Sequence, residues 1–322
     1  MTVENIEKVP AQTYHEDDKE GLRIFLRQPS AKGRKTNGER LGLKRSDMDN
    51  WETSEEWVEK IRFLYWNDES PKRLIAIIWS NYREDYGSIK TLAGTLDTSK
   101  WKELTSLNCS GNQLTALDVS ANTELTMLWC GDNLLSVLDV SANTKLIRLD
   151  CSYNQLTALD VSANTELTEL NCICNLLTVL DISTNTELTK LTCFFNQLTA
   201  LDVSANTELT ELTCFDNQLT VLDVNANTKL TGLECHENLL TALDVSANTE
   251  LTKLWCGKNQ LITLNVSANT KLIVLSCHEN QLTTLDVSTN TELGLLACSG
   301  NQLTTLDVGT NTELDIINMS KV

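Results

Sequence analysis

The chain has 322 residues, a formal net charge of −18 and no apolar run long enough to cross a membrane as a helix. The negative charge is concentrated in residues 101–322, which contain 26 acidic and nine basic residues. Such a surface repels nucleic acids and anionic lipids and favours basic partners. Composition therefore argues against nucleic-acid binding and against insertion into a membrane.

The chain begins with a polar segment followed by a short helix. Residues 1–17 show no apolar periodicity and are expected to form a flexible N-terminus. Their first part lacks the basic and apolar regions of a signal peptide, so none is predicted. Leu22, Phe25 and Leu26 then follow at the spacing of one helix face, and the helix is expected to end before Pro29.

The next segment predicts two β-strands and a cap. Residues 61–66 and 74–79 have the composition of strands and are separated by turn-forming residues. Stacked repeats need a terminal unit that shields the apolar edge of the first coil. Residues 18–73 are expected to supply this small α/β N-terminal cap, and residues 74–103 an irregular first repeat with a long loop at 80–88.

Residues 104–313 consist of one 21-residue unit written ten times without insertion or deletion. The unit reads L-x-x-L-x-C-x-x-N-x-L-x-x-L-D-V-S-x-N-T-x, and residues 314–322 begin another half-unit that is predicted to form a terminal strand. A fixed period of this length with leucines at these offsets is the leucine-rich repeat pattern. One cysteine marks each copy: Cys109, Cys130, Cys151, Cys172, Cys193, Cys214, Cys235, Cys256, Cys277 and Cys298.

The repeat predicts a leucine-rich repeat solenoid made mostly of β coils. Each half-unit places alternating side chains inward and leaves little room for an α-helix, so we expect a strand on both sides of each coil. The cysteines face inward and stack with parallel side chains, a geometry that favours buried free thiols over disulfides. Two rows of asparagines, at 112–301 and 122–311, are expected to bond backbone groups at the turns.

One polar row raises the question of a cation site. It consists of Asp118, Asp139, Asp160, Asp181, Asp202, Asp223, Asp244, Asp286 and Asp307, with Asn265 in the remaining coil. Calcium needs six to eight oxygens around one centre, and a straight row of carboxylates does not converge. A structural or solvated row is the favoured interpretation, and a cation site stays open.

The sequence shows no catalytic or cofactor motif, so we expect a non-enzymatic protein without cofactor or metal. His236 and His278 recur in a Cys-His-Glu-Asn context, but they are two coils and thus about 9.6 Å apart, too far to share a zinc ion. Cys174 occupies a position where other repeats carry surface residues. One interpretation is that its thiol is exposed and reactive. The favoured interpretation is that the thiol is partly covered by aromatic neighbours.

The repeats differ from one another mainly at the outward positions around the cysteine, and bulky aromatic residues are concentrated there. Exposed clusters of this kind mark recognition surfaces, whereas drift on a solvated face is the alternative. The candidate partner-binding residues are Trp129, Tyr153, Ile173, Phe194, Phe195, Phe215, Asp216, Glu234, His236, Trp255 and His278.

The 21-residue unit, with cysteine in the strand and L-D-V-S-x-N-T behind it, resembles the cysteine-ladder repeats of internalin-type bacterial surface proteins. The resemblance covers residues 92–319 and implies a secreted or surface-anchored, adhesin-type module that binds a protein or a glycan. Because no signal peptide or wall-anchoring end is seen, a cytoplasmic location stays open.

Two other functions compete with the adhesin. A cytoplasmic, acidic inhibitor or effector would bind a basic protein, and a passive spacer would bind nothing. The chain is expected to be a monomer whose open C-terminal strand edge permits self-association.

Overall fold

A computed structural model describes residues 13–31, 33–49, 56–61, 63–80 and 92–318. Most of the expected flexible N-terminus, residues 1–12, and nearly all of the expected loop at 80–88 lie outside these ranges. Within the described ranges no helix has the length and apolar character needed to cross a bilayer.

The described residues of the N-terminal part form four helices: α1 (Glu16–Arg27), α2 (Asn37–Arg40), α3 (Arg45–Asp49) and α4 (Glu56–Lys60). Helix α1 starts after His15, whose Nδ1 accepts the backbone N–H of Asp17 at 3.2 Å. As the apolar spacing predicts, α1 buries one face that includes Leu22, Phe25 and Leu26.

Helix α1 is joined to the first coil through Asp18. This fully buried carboxylate accepts hydrogen bonds from the Arg73 guanidinium and the Leu74 backbone N–H, both at 2.9 Å. The Trp101 indole donates to the Asp18 carbonyl at 3.0 Å, and the Phe25 ring stacks on Trp79 at 5.3 Å. These contacts pack α1 against residues of the first coil.

Fifteen short strands are present in the described chain: β1 (Leu64–Trp66), β2 (Leu74–Ile78), β3 (Ala93–Asp97), β4 (Ser106–Asn108), β5 (Gln113–Asp118), β6 (Met127–Trp129), β7 (Arg148–Asp150), β8 (Glu169–Asn171), β9 (Lys190–Thr192), β10 (Glu211–Thr213), β11 (Gly232–Glu234), β12 (Lys253–Trp255), β13 (Val274–Ser276), β14 (Leu295–Ala297) and β15 (Ile316–Asn318).

Thirteen of these strands form one sheet, in the order β1-β2-β4 and then β6 to β15. β1 and β2 are antiparallel, and every later neighbour is parallel. The register advances by one repeat per strand, so that Leu191, Leu212 and Leu233 lie side by side. The chain is therefore a leucine-rich repeat solenoid, as its period predicts.

Within the described residues, paired strands on the second side of the coil are limited to β3 and β5. The expectation of two strands per coil is met only in these first coils. In the later coils, neighbouring coils form only one backbone hydrogen bond with each other on that side, which is too few for a paired strand. The Gln197 N–H donates to the Leu177 carbonyl at 2.8 Å, while the Leu177 N–H donates to the Asn196 side chain at 3.0 Å. A side-chain amide thus takes the place of a second ladder bond.

The two asparagine rows satisfy the backbone differently. In the first row, the Asn196 amide donates to the Cys172 and Cys193 carbonyls at 3.0 and 3.1 Å, and its Oδ1 accepts the Leu177 N–H. In the second row, Asn206 donates to two carbonyls, at 3.0 and 2.8 Å, but its buried Oδ1 has no partner in the described structure. Only the first row therefore satisfies a buried N–H group.

We expect Asn196→Ala to destabilise the chain more than Asn206→Ala. The first substitution leaves the buried Leu177 N–H unpaired, whereas the carbonyls bonded by Asn206 retain backbone N–H donors. The difference in unfolding free energy should be about 1–3 kcal/mol. Urea unfolding followed by circular dichroism measures it, and equal midpoints for the two variants would contradict the assignment.

Candidate binding face on the cysteine-bearing strands

Each cysteine-bearing strand presents four outward side chains across the sheet. In one coil these belong to Lys190, Thr192, Phe194 and Phe195, which come before and after Cys193. Because neighbouring strands are parallel and in register, equivalent residues form four rows. We call this surface the strand face and name its rows, in that order, the charged row, the central row, the ring row and the left-handed row.

The ring row contains a stack of three planar side chains. Phe194 and Phe215 are parallel within 13° with centroids 4.1 Å apart, and Phe215 and His236 are within 15° at 4.2 Å. Phe195 packs edge-on against both phenylalanines, at 5.3 and 5.4 Å. Since adjacent strands are about 4.8 Å apart, the coil spacing itself places successive rings at stacking distance.

The left-handed row has an unusual backbone conformation. Eight successive non-glycine residues have φ between 49° and 53°: Asp132, Tyr153, Cys174, Phe195, Asp216, Glu237, Lys258 and Glu279. Glycine takes the position at both ends of the row, at Gly111 and Gly300. A side chain in this region costs about 1–2 kcal/mol relative to glycine. The repeat pattern alone did not predict this conformation, although the two glycines are a signal for it.

The structure brings five of the predicted site residues into one cluster. Phe194, Phe195, Phe215 and His236 contact one another as described, and Trp255 tilts against His236 at 5.9 Å. Phe195 and Trp255 remain 45% and 42% exposed.

The remaining site residues lie outside this cluster. Tyr153 is 51% exposed and, like the half-buried Trp129, makes no ring contact with the cluster in the described chain. Asp216, Glu234 and His278 are half-buried. Ile173 is only 9% exposed, and so it adds little surface.

The ring row is interrupted at Gly257, and His278 fills the gap. A Cβ atom at Gly257 would lie 2.4 Å from the His278 ring, so glycine makes room for this imidazole. His278 Nδ1 is 3.0 Å from the Ser276 hydroxyl oxygen. Burial lowers the pKa of His236, which keeps its ring neutral in the stack. No His, Cys, Asp and Glu group in the described chain could hold a metal.

The charged row is a further feature of the strand face that was not among the predicted site residues, although opposite charges alternate in it at the repeat period. Arg148 pairs with Glu169 at 3.1 Å, and Lys190 pairs with Glu211 at 2.6 Å. The alternation stops at Gly232, where a shallow pocket of about 190 Å³ opens. It is lined by Glu211, Thr213, Thr231, Gly232, Glu234, Thr252 and Lys253. Burial raises the pKa of the Glu234 carboxyl at its edge.

The aspartate row of the second half-unit forms local turns. In each turn a carboxylate accepts the backbone N–H of the residue two positions later, as Asp202 does from Ser204 at 2.9 Å. The hydrogen bond from the Ser204 side chain lowers the pKa of Asp202. Each carboxylate thus has its own donors at a turn, which is a structural use of the row.

The cysteines fall into two classes. The ten ladder thiols are buried and free, and desolvation raises the pKa of Cys109, Cys235 and Cys277 to about 12. Cys174 is half-buried and hydrogen-bonded to Tyr153, and burial again raises the pKa of its thiol. The partly covered interpretation of Cys174 agrees with this geometry.

The chain is similar to the functional domain of InlJ from Listeria monocytogenes, which includes a cysteine ladder. The two are 41% identical with a TM-score of 0.69, over 75% of this chain and 57% of that one. The protein is a leucine-rich repeat protein with a cysteine ladder. It spans little more than half of the InlJ domain. No protein-family model and no curated protein sequence matched it.

Two further solved structures share the fold of this leucine-rich repeat protein. InlF, also from Listeria monocytogenes, is 23% identical with a TM-score of 0.65, over 76% of this chain and 73% of that one. The ectodomain of the plant receptor kinase GASSHO1/SCHENGEN3 from Arabidopsis thaliana, in complex with CASPARIAN STRIP INTEGRITY FACTOR 2, is 24% identical with a TM-score of 0.66. That match covers 71% of this chain and 32% of the receptor.

We expect a thiol reagent such as DTNB to label at most one cysteine of the native protein. The ladder thiols are buried and their pKa values are raised, so thiolate is scarce and inaccessible at pH 8. All eleven cysteines should react once the chain is unfolded in guanidinium chloride. A Cys174→Ser variant should lose the native signal. Rapid labelling of several native thiols would contradict a buried ladder.

We expect Glu234→Gln to raise the melting temperature at pH 7. Because the folded-state pKa of Glu234 lies above its ordinary value of 4.5, ionisation of this carboxyl opposes folding. The penalty is absent when the pH is below the pKa of Glu234 in the unfolded chain. It grows as the pH rises above that value and is complete once the pH exceeds the pKa of Glu234 in the folded chain. The gain should therefore shrink from pH 7 towards pH 4. Glu166→Gln, at an exposed position, is the charge-matched control. A gain that is independent of pH would contradict the assignment.

Proposed function

We propose that the protein is a non-catalytic, secreted or surface-exposed bacterial binding module of adhesin type that recognises a protein through the strand face. The observation that carries the proposal is the preorganised ring cluster. Exposed aromatic residues are costly in water, and rigid aromatic anchors dominate the binding energy of many interfaces. Here Phe195 and Trp255 stay exposed while neighbouring rings hold them in place.

Backbone strain supports a functional role for the same surface. Gly111 and Gly300 adopt the left-handed conformation without strain, but the eight coils between them have larger side chains at this position. Such strain persists where the side chain serves a purpose other than stability. Tyr153, Phe195 and Asp216 are among the side chains presented in this way.

The shape of the strand face suits an extended ligand segment. Between Trp129 and Trp255 the central row carries the smaller residues Asp150, Asn171, Thr192, Thr213 and Glu234. The charged row borders them on one side and the ring row on the other. Six strand spacings separate the two tryptophans, about 29 Å, which is the length of roughly nine extended residues. This channel accommodates a protein segment that lies across the strands.

The similarity to InlJ supports a bacterial surface or secreted location, as the cysteine ladder is common to both chains. A glycan is the second ligand class for stacked rings. A cytoplasmic inhibitor of a basic protein is the alternative function, and it is favoured by the excess of acidic residues in residues 101–322.

We expect a Phe194→Ser, Phe195→Ser, Phe215→Ser variant to fold and to lose ligand capture. The matched control replaces Val137, Val179 and Val221 with serine. These valines are about 70% exposed and belong to the second half-unit, away from the strand face. Pull-downs from surface-protein extracts and glycan arrays, at low and high salt, measure capture by each variant.

The salt dependence separates the candidate functions. Capture that survives high salt and depends on the phenylalanines supports an aromatic-anchored adhesin. Capture that is lost with salt and insensitive to the triple substitution supports the acidic inhibitor. Equal capture by the phenylalanine and valine variants would remove the strand face as the binding site.

A further inference from the structure

The N-terminal part of this acidic protein contains a strongly basic segment. Residues 27–45 include seven basic residues and one acidic residue, whereas the whole chain has a net charge of −18. The basic residues are Arg27, Lys32, Arg34, Lys35, Arg40, Lys44 and Arg45. The basic segment is not part of the strand face. The strand face therefore does not explain the charge of this segment.

Part of the basic segment surrounds a pocket of about 260 Å³. The pocket is lined by Pro29, Gly33, Arg34, Lys35, Thr36, Glu39, Arg45 and Met48. It brings together residues from the turn before α2 and from α3. Three positively charged side chains therefore border one concave site, with Pro29 and Met48 supplying an apolar part of its lining.

The three basic side chains have no internal partner. Arg34, Lys35 and Arg45 are exposed, and none forms an ion pair or a side-chain hydrogen bond within the residues described. Many cations of the solenoid, in contrast, pair with a glutamate of the adjacent coil, as Lys145 does with Glu124 at 2.6 Å. The donors at the pocket are thus available to a ligand.

The pocket is held in shape by its backbone. The Ser30 N–H donates to the Lys35 carbonyl and the Gly33 N–H donates to the Ser30 carbonyl, both at 2.8 Å. Gly33 supplies the left-handed conformation of this turn, at φ 64°. A preformed site loses less conformational entropy when it binds a ligand.

The single acidic residue of the pocket has a structural role. Glu39 accepts the Thr36 N–H at 2.8 Å while the Thr36 hydroxyl accepts the Glu39 N–H at 3.2 Å, a reciprocal capping box for α2. With Arg34, Lys35 and Arg45 set against Glu39, positive side chains exceed negative ones at the pocket by two.

We propose that this pocket binds a phosphate or sulfate ester group. Guanidinium groups match the geometry of tetrahedral oxyanions and donate paired, charge-assisted hydrogen bonds to them. The volume admits one phosphorylated or sulfated sugar unit, or one lipid phosphate headgroup, with Pro29 and Met48 against its carbon skeleton. This site is separate from the strand face and does not depend on its function.

The test uses the full chain and three probes in isothermal titration calorimetry: glucose 6-phosphate, inorganic sulfate, and unphosphorylated glucose as the neutral control. Vesicles of phosphatidylglycerol and of phosphatidylcholine, compared by co-sedimentation, report a lipid source. Arg34→Gln with Arg45→Gln removes two charges from the pocket. Lys100→Gln with Lys102→Gln makes the same change in net charge at exposed positions elsewhere.

We expect glucose 6-phosphate to bind and glucose not to bind, with affinity that falls as salt is added. The arginine variant should lose about tenfold or more in affinity, a typical effect of removing charge-assisted hydrogen bonds. The lysine variant should bind as the native chain does. Glu39→Gln should bind more tightly, because glutamine can keep the capping box without the negative charge.

Vesicle binding that the arginine variant loses would also support the proposal and would identify a lipid as the source of the phosphate. Equal binding by the native chain and the arginine variant would overturn it. So would the absence of binding to both the phosphate and sulfate probes and to phosphatidylglycerol. The circular dichroism spectrum of each variant verifies that it is folded.

Discussion

The structure depends on how a 21-residue coil satisfies its own backbone. A coil this short turns sharply after each strand, and the turns leave amide groups inside the solenoid without regular partners. The first asparagine row supplies them, since each amide bonds carbonyls of two successive coils and accepts an N–H, as Asn196 does. In the second row Asn206 adds donors only, and the Oδ1 of Asn122 accepts from the Thr98 hydroxyl. Leucine, valine and cysteine then fill the interior, and the cysteines act there as small apolar residues whose thiols have raised pKa values.

A regular interior leaves the outward rows free to vary. The parallel strands place equivalent side chains at one spacing, which is close to the stacking distance of aromatic rings. Neighbouring rings such as Phe194 and Phe215 therefore stack without any change in the backbone. The left-handed turn after each cysteine directs another side chain, such as Phe195, against that stack. A rigid array of repeats thereby holds exposed aromatic residues in fixed positions, which is the property that recognition requires.

Charge is distributed as unevenly as the aromatic residues. The solenoid carries most of the negative charge, while residues 27–45 carry a local positive excess. The Asp18–Arg73 pair joins α1, which precedes this basic segment, to the first coil. The N-terminal basic segment and the solenoid therefore differ in the sign of their net charge.

The sequence by itself determined the period, the leucine-rich repeat fold, the inward cysteines and the asparagine rows. These features follow from the alternation of apolar and polar residues, because a leucine that recurs at every turn must be buried. Repeat variation also located the aromatic rows. Only the tertiary structure decided the left-handed turns, the burial of Ile173, the missing second strands, the His278 ring over Gly257 and the meeting of Arg34 with Arg45 at one pocket. These depend on backbone conformation and on segments that approach in space. Residue periodicity does not show which segments approach, and Gly111 and Gly300 are the sequence signal of the left-handed backbone.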